Sequence, residues 1–334
     1  MAYTTIDNPE LYFQVKTYTG NGSTQSITLD GDEDMQPDFV WFKNADSTEN
    51  NRLFDSVRGA GKNLVSNNNG AEIDAGTGSD GQLRTFDSDG FSVGSDGTVN
   101  ENTSTIAAWC WKESATAGFD IVSYTGNATN RTISHSLSAA PTVVIIKDRS
   151  TVGEWVFGHG SLGFSKFIEM NSTGAAQTSS ASTRWNSTAP TSSVFSVGTA
   201  NDTNENTDSL IAYLFAEKQG FSKFGSYTGN GESSDGPFIY TGFRPAFVLQ
   251  KNAGATQGWQ LQDNKREGYN GDNDLLQPHD NATESGVNRI DILSNGFKVI
   301  TNDAGQNSSG TQYIYMAFAE APFVNSNGVP CNAR

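Results

Sequence analysis

The sequence predicts an all-β protein made of three tandem antiparallel β-sandwich domains, jelly-roll-like and each about 100 residues long. The peptide SYTGN occurs at 123–127 and again at 226–230, and a near copy, TYTGN, occurs at 17–21. Short runs rich in Val, Ile, Phe, Tyr and Trp are bounded by Gly, Asn, Asp and Ser, which is the pattern of strands and turns. No segment keeps a helical period over three turns.

Other features repeat in the same order as this turn. Pro37, Pro141 and Pro245 are spaced 104 residues apart, and each opens an apolar run that ends in lysine: PDFVWFK, PTVVIIK and PAFVLQK. Each copy then closes with an aromatic run, AWCWK, AYLFAE or YMAFAE. Because several features recur in one order at one spacing, we interpret the chain as a triplication.

The repeat boundaries follow from these matches. We expect an N-terminal arm at 1–14, repeat 1 at 15–115, repeat 2 at 116–218, repeat 3 at 219–322 and a C-terminal tail at 323–334. A unit of this length can close its own hydrophobic core, so we expect three equivalent cores. Terminal arms usually fray unless they are held down, and we expect these two to be ordered by neighbouring subunits.

Two expectations concern individual side chains of the repeats. We expect Trp109, Trp111, Phe215 and Phe318 to be buried, one group in each core, and Cys110 to be a buried thiol. In the repeated turn, Gly20, Gly126 and Gly229 are expected to supply a positive φ angle. The turn then repeats because the domain repeats, which favours a structural role for it over a shared ligand contact.

Charge and composition exclude several classes of protein. The net charge is −16, so binding of nucleic acid through phosphate neutralisation is not expected. An aromatic content of 11% argues against disorder. No window approaches eighteen apolar residues, so membrane insertion is not expected, and the start of the chain does not have the pattern of a signal peptide.

Catalytic patterns are weak. The three His residues have no partner at metal-ligand spacing, and GHGSLG and RGAGKN depart from the nucleophile elbow and the phosphate loop that they resemble. Asp87 with Asp89, or Asp272 with Asp274, offers carboxylates, but the repeats do not preserve a pair of the kind that glycosidases need. We therefore predict that the chain is not an enzyme.

Two groups of residues are candidate binding sites. Asp30, Asp32 and Asp34 alternate in DGDED and could supply oxygen ligands to calcium, although a solvated acidic turn is the favoured interpretation. No other cofactor is expected.

Trp155 and Trp259 lie at the same offset in repeats 2 and 3. They are candidate platforms for sugar rings, although the favoured alternative is that they are repeated core residues. Trp185, among polar residues in STRWNSTAP, is the better candidate for an exposed ring.

Several long phrases carry a resemblance to a known family. The chain resembles repeat proteins of marine bacteriophages over essentially its full length. The phrases that carry the resemblance are MAYTTIDNPELYFQVKTYTGNG, FDSVRGAGK, FDSDGFSVG, AAWCWK, SKFGSYTGNG, YTGFRPAFVL and YIYMAFAE. Members are described as virion structural or tail-fibre-like proteins without defined catalytic residues. The second repeat departs most, with FGHGSLGFSK in place of FDSVRGAGK.

The resemblance implies a protein of the virion surface that is assembled in the cytoplasm of a host bacterium. We expect a tail fibre or adhesin that contacts host-surface polysaccharide and works as a homo-oligomer, most simply a trimer. The arm (1–14) and the tail (323–334) would then contact other virion proteins. The alternatives are a capsid fibre or decoration protein without specific receptor binding and, with less support, a polysaccharide depolymerase.

Overall fold

The chain is all-β, with its strands arranged in several antiparallel sheets. The computed structural model describes residues 2–178, 180–266, 270–271 and 274–331. The α-helices in this part of the chain have only four or five residues. None of them is long and apolar enough to cross a membrane.

Each repeat contributes a similar series of elements. Repeat 1 follows a 3-10 turn at Pro9–Leu11 and contains β1 (Phe13–Thr19), β2 (Gln25–Thr28), β3 (Phe39–Asn44), β4 (Arg52–Asp55), β5 (Lys62–Val65), β6 (Ile73–Asp74), β7 (Leu83–Asp87), β8 (Gly90–Val93), α1 (Gly97–Asn100) and β9 (Thr105–Trp111). Repeat 2 contains β10 (Phe119–Thr125), β11 (Arg131–Ser134), β12 (Val143–Asp148), β13 (Val156–His159), β14 (Ile168–Glu169), α2 (Ala181–Trp185), β15 (Val194–Val197), α3 (Asn201–Asn204) and β16 (Ser209–Phe215). Repeat 3 contains β17 (Ser222–Thr228), β18 (Phe238–Tyr240), β19 (Phe243–Asn252), β20 (Trp259–Asp263), β21 (Ile290–Leu293), β22 (Gly296–Val299) and β23 (Gln312–Pro322).

The order of strands in the sheets repeats three times. The main sheets begin β1-β9-β3-β4, β10-β16-β12-β13 and β17-β23-β19-β20, so the first and last strands of each repeat always pair. Smaller sheets, β2-β8-β7, β11-β15 and β18-β22-β21, form a second layer. Pro37 and Pro141 lie two residues before β3 and β12. Pro245 instead lies inside β19, where the register shifts on both sides of it, as is usual for proline in a sheet.

The repeated YTGN turn fastens the first strand of each repeat to the loop before its last strand. The tyrosine hydroxyl donates to a carbonyl of that loop, and a fully buried asparagine of the loop accepts a bond from the backbone N–H of the turn asparagine. These contacts join Tyr18 to Val99, Tyr124 to Thr203, Tyr227 to Gln306, Asn21 to Asn100, Asn127 to Asn204 and Asn230 to Asn307. The structural role of the turn is confirmed.

The reason for glycine in this turn differs from the expectation. Gly20, Gly126 and Gly229 do not have positive φ angles. A Cβ atom at these positions would lie 2.0, 1.9 and 2.3 Å from a carbonyl oxygen of the adjoining loop, which is a steric overlap. Glycine is required because two segments of backbone approach each other closely.

The main sheets of the three repeats face one another across one shared hydrophobic core. Trp111, Phe215 and Phe318 are the last inward-facing residues of equivalent strands, and their ring centroids lie 6.4, 5.6 and 5.8 Å apart in a triangle. Trp109 belongs to the same cluster. The predicted burial of all four is confirmed. The prediction that they lie in three equivalent cores is wrong, because the inner faces of the repeats bury one another in a single core.

Each repeat also keeps a smaller core of its own between its two sheets. In repeat 1 this outer core contains Val40, Phe42, Phe91 and the buried thiol Cys110. Repeats 2 and 3 have equivalent clusters. Alternate residues of β3 therefore enter two different cores, which explains why the strand is apolar on both faces.

The arm contacts repeat 3, the shared core and the tail of the same chain. The Tyr3 hydroxyl donates to the Gly242 carbonyl over 2.8 Å, Ile6 enters the shared core, and the Ser326 N–H donates to the Asp7 carboxylate over 2.6 Å. Contacts within one chain therefore hold the described parts of the arm and the tail. Their contact with neighbouring subunits stays a prediction.

Replacing Trp111 with alanine should lower the free energy of unfolding by about 3–5 kcal/mol, because the ring leaves a cavity where all three repeats meet. Chemical denaturation should still give a single transition, since the shared core couples the repeats. Val152→Ala, a change at a side chain that is 70% exposed, is the control and should shift stability by less than about 0.5 kcal/mol. A Trp111→Ala protein that loses one repeat in a separate early transition would contradict the shared core.

Candidate functional site

Trp155 and Trp259 are buried between repeats and are not sugar platforms. Their exposed fractions are 0% and 1%. The Trp155 indole N–H donates to the Val65 carbonyl of repeat 1 over 2.8 Å, and that of Trp259 donates to the Glu169 carbonyl of repeat 2 over 3.2 Å. Both residues therefore join one repeat to the preceding one, and the prediction of ligand contact is corrected in favour of repeated core.

Trp185 is also buried, although its neighbours in the sequence are polar. It is 1% exposed, packs edge-on against Phe164 at 5.6 Å, and covers Gly158. It ends the short helix α2, in which Ala181, one turn earlier, is the other buried residue. The expectation of an exposed ring is wrong because a single inward-facing position of a short helix is not visible in the composition around it.

The three aspartates proposed for calcium do not form a site. Asp30, Asp32 and Asp34 are exposed, and Asp30 pairs with Lys16. Within the described ranges, no group of three or more His, Cys, Asp or Glu side chains is arranged to hold a metal ion. The geometry of the described residues gives calcium binding here no support, and a solvated acidic turn stays the favoured interpretation.

The other catalytic candidates are occupied by local contacts. Asp87 accepts a hydrogen bond from the Thr85 hydroxyl over 2.7 Å, and Asp89 accepts one from the Met35 N–H over 3.3 Å. Asp272 lies outside the described residues. Asp274 lines a cleft between repeats 3 and 1.

The lysines that close the apolar runs are buried in all three repeats. Lys43, Lys147 and Lys251 have no exposed surface. Each ammonium donates to the carbonyl of the next residue, over 2.6, 2.6 and 2.8 Å. Burial lowers the pKa of each of them to about 8. Because the arrangement is the same in every copy, these lysines are part of the fold.

A surface groove on repeat 3 is the best candidate for a binding site. Two adjoining depressions of about 390 and 630 Å³ share Tyr3 and Gln219 in their walls. Tyr240 lines the first of them and is 53% exposed, and its hydroxyl lies 3.1 Å from that of Tyr3. Glu217 and Lys223, paired over 3.0 Å, supply charge in the same wall.

The groove adjoins an exposed aromatic strip on β18. Phe238 and Tyr240 alternate with the buried Ile239, so both rings point to solvent from an edge strand. Phe238 is 47% exposed. No other aromatic ring among the described residues is as exposed.

Comparison between the repeats shows that the fold does not require this aromatic strip. Ile27, Ile133 and Ile239 are equivalent and all buried. The residues on either side of them are exposed in every copy: Ser26 and Thr28, Thr132 and Ser134, Phe238 and Tyr240. Repeats 1 and 2 form the same strand with small hydroxyl side chains. The aromatic rings of repeat 3 are therefore not needed for folding.

Sequence reasoning missed Phe238, Tyr240 and Tyr3. The segment PFIYTGF has the alternation of an ordinary half-buried strand, and aromatics two residues apart usually indicate a core face. The signal that could have found them is the alignment of the three copies, in which Ser and Thr become Phe and Tyr.

A family model describes nearly the whole chain. The domain of unknown function DUF7483 matches residues 8–322. The chain belongs to this family. A comparison with curated proteins finds no match. The DUF7483 match runs from just before β1 to the end of β23, so it treats all three repeats as one unit, in agreement with their shared core.

Replacing Trp155 with phenylalanine should reduce the free energy of unfolding by about 1–3 kcal/mol, because the buried Val65 carbonyl loses its donor from repeat 2. Trp185→Phe is the matched control, since the Trp185 indole N–H makes no hydrogen bond to any described residue and only ring volume is lost. Urea denaturation of both variants tests the difference. Equal losses would show that the contact between repeats adds nothing beyond packing.

The buried lysines predict a rise in stability between pH 8 and pH 9.5. A lysine with a pKa near 8 in the folded state and about 10.4 in the unfolded chain is deprotonated first in the folded state, so raising the pH through this window favours folding. Below pH 8 both states hold the proton and the contribution is flat. Denaturation at a series of pH values tests this, with Lys147→Met expected to make the slope shallower. A wild-type stability that does not change across the window would contradict it.

Proposed function

We propose that this DUF7483 protein is a structural protein of a bacteriophage virion surface, a tail fibre or adhesin whose repeat 3 groove contacts host-surface polysaccharide. The observation that carries the proposal is the aromatic strip of Phe238 and Tyr240, which repeats 1 and 2 replace with Ser and Thr. The assignment to a virion is supported by the resemblance of the sequence to marine phage repeat proteins.

The chemistry of the groove suits a sugar chain. A pyranose ring has an apolar C–H face that packs on an exposed aromatic ring, and hydroxyl groups around its rim that need polar partners. Phe238 and Tyr240 offer the faces, while Gln219, Glu217 and Lys223 offer donors and acceptors nearby. An open depression with aromatic and polar walls accepts an internal segment of a polymer without requiring its end.

Because the described part of the chain has one such strip, multiplicity would have to come from several chains. A single sugar contact is weak, and linking sites raises the effective concentration of each. We therefore propose a homo-oligomer, most simply a trimer, in which each chain presents one groove. In this proposal each repeat is a copy of one jelly-roll-like module, and only the third copy carries the binding surface.

The test replaces the strip with the residues of repeat 1, as Phe238→Ser with Tyr240→Thr. Because equivalent positions hold these residues, the variant should fold with unchanged stability and lose binding to host polysaccharide by at least about tenfold. Binding is measured on an array of bacterial surface glycans, and by competition of micromolar protein with phage adsorption to host cells. Val152→Ala is the exposed apolar control and should bind as the wild type does.

Wild-type protein that binds no host glycan and leaves adsorption unchanged would overturn the adhesin assignment. If the protein then localised to the head of the particle, the decoration protein would take its place. Light scattering tests the assembly, and a monomer at micromolar concentration would contradict the trimer.

A further inference from the structure

The three contacts between repeats are equivalent in backbone but differ in charge. We call them seam 1/2 (between repeats 1 and 2), seam 2/3 (between repeats 2 and 3) and seam 3/1 (between repeats 3 and 1). At one position of each seam a backbone N–H of the first-named repeat donates to a carbonyl of the second-named repeat. These bonds join Glu72 to Arg149 (2.9 Å), Ala176 to Ala253 (3.0 Å) and Glu284 to Ala45 (2.8 Å).

Seam 1/2 contains a complete charge network. The Glu72 carboxylate accepts two hydrogen bonds from the Arg149 guanidinium, over 2.8 and 3.0 Å, and a third from Arg58 over 3.3 Å. Arg149 also reaches the Ser123 hydroxyl, over 3.4 Å. Arg58 is fully buried and paired with Asp55. The carboxylate therefore lies between two guanidinium groups.

Seam 3/1 repeats this network without its outer cation. Arg266 is buried and pairs with Asp263 over 2.8 Å, and its Nη1 lies 3.5 Å from the Glu284 carboxylate. That Nη1 makes no hydrogen bond within the described part of the chain. The residue in the place of Arg149 is Ala45, and its N–H bonds the Thr105 carbonyl over 2.9 Å, as the Arg149 N–H bonds that of Ser209.

An open cleft of about 520 Å³ stands where the Arg149 side chain would lie. The described residues that line it include Thr17, Asp46, Lys265, Arg266, Asp274 and Glu284. Thr17 corresponds to Ser123, which touches the Arg149 guanidinium in seam 1/2. Arg266 pairs with Asp263, and the other cation among these described lining residues is the exposed Lys265.

The two equivalent glutamates differ in their electrostatics. Burial raises the pKa of Glu72, but the hydrogen bond from Arg149 and the charge of Arg58 outweigh it and hold the pKa below its ordinary value. Burial and a hydrogen bond to Asp274 raise the pKa of Glu284 to about 8. Glu284 therefore has the surroundings of a carboxylate that lacks the cation its counterpart holds.

Seam 2/3 excludes the explanation that the fold needs charges here. The positions of Arg58, Glu72 and Arg149 are taken there by Leu162, Ala176 and Ala253, which pack on or within the shared core. A seam without any of the three charges is therefore compatible with the fold. Seam 3/1 keeps the buried arginine and the carboxylate and lacks only a counterpart of Arg149.

We propose that the cleft at seam 3/1 binds a guanidinium group, of the kind carried by an arginine side chain, in the position that Arg149 fills at seam 1/2. Glu284 accepts its two parallel N–H bonds, Thr17 accepts a third, and Asp274 and Asp46 balance its charge. The site shares no lining residue with the groove on repeat 3. It does not depend on the proposed glycan binding.

Calorimetric titration with agmatine, a guanidinium and an ammonium joined by a butyl chain, tests the site in the full-length protein. Wild type should bind one agmatine, and 1,4-diaminobutane, which has the same charge but an ammonium in place of the guanidinium, should bind at least about tenfold more weakly, since an ammonium cannot form the bidentate pair. Ala45→Arg should abolish agmatine binding and raise the melting temperature. Arg149→Ala should open the equivalent position in seam 1/2 and give a stoichiometry of two.

The source of the guanidinium is distinguished by a second probe, the peptide N-acetyl-Gly-Arg-Gly-amide. Binding at least as tight as that of agmatine assigns the site to an arginine on a partner protein, whereas binding of agmatine alone assigns it to a small guanidinium ligand. The proposal is overturned if wild type binds neither probe, or if Glu284→Gln and Ala45→Arg both bind agmatine as wild type does.

Discussion

The contact among Trp111, Phe215 and Phe318 is the constraint on which the rest of the structure depends. Each ring faces inward from the last strand of its repeat, so a repeat alone would expose its main sheet to water. Removing this apolar surface from water is the dominant favourable term in folding. The three repeats therefore fold as one body, and the DUF7483 match over residues 8–322 follows the limits of that body.

The sequence was sufficient to predict the triplication, the antiparallel strands and the buried rings, because repeated turns and period-two patterns are local. It could not predict the shared core. Strand β3 is apolar on both faces, but alternation does not tell whether the second face meets a sheet of the same repeat or another repeat. Gly20 shows the same limit, since a glycine required by close approach of a distant carbonyl looks like a glycine required by its φ angle.

The candidate sites were harder to predict than the fold, for a related physical reason. Trp155 and Trp259 recur because they join repeats, so recurrence marks what the architecture needs. Binding surfaces lie where equivalent positions differ. Phe238 and Tyr240 stand where Ser and Thr suffice elsewhere, which becomes informative only once the buried isoleucines fix the register of the three copies. For Trp185 no comparison with the other repeats was made, and the polar residues around it in the sequence wrongly indicated an exposed ring.

Triplication within one chain makes this divergence possible. In a homotrimer every seam must have the same residues, whereas here seam 1/2 has a full ion network, seam 2/3 has apolar residues at the equivalent positions and seam 3/1 is incomplete. Seam 2/3 carries none of these charges, so the fold tolerates their loss while the shared core holds the repeats together. The core thus bears the stability, and each seam is free to become a different kind of site.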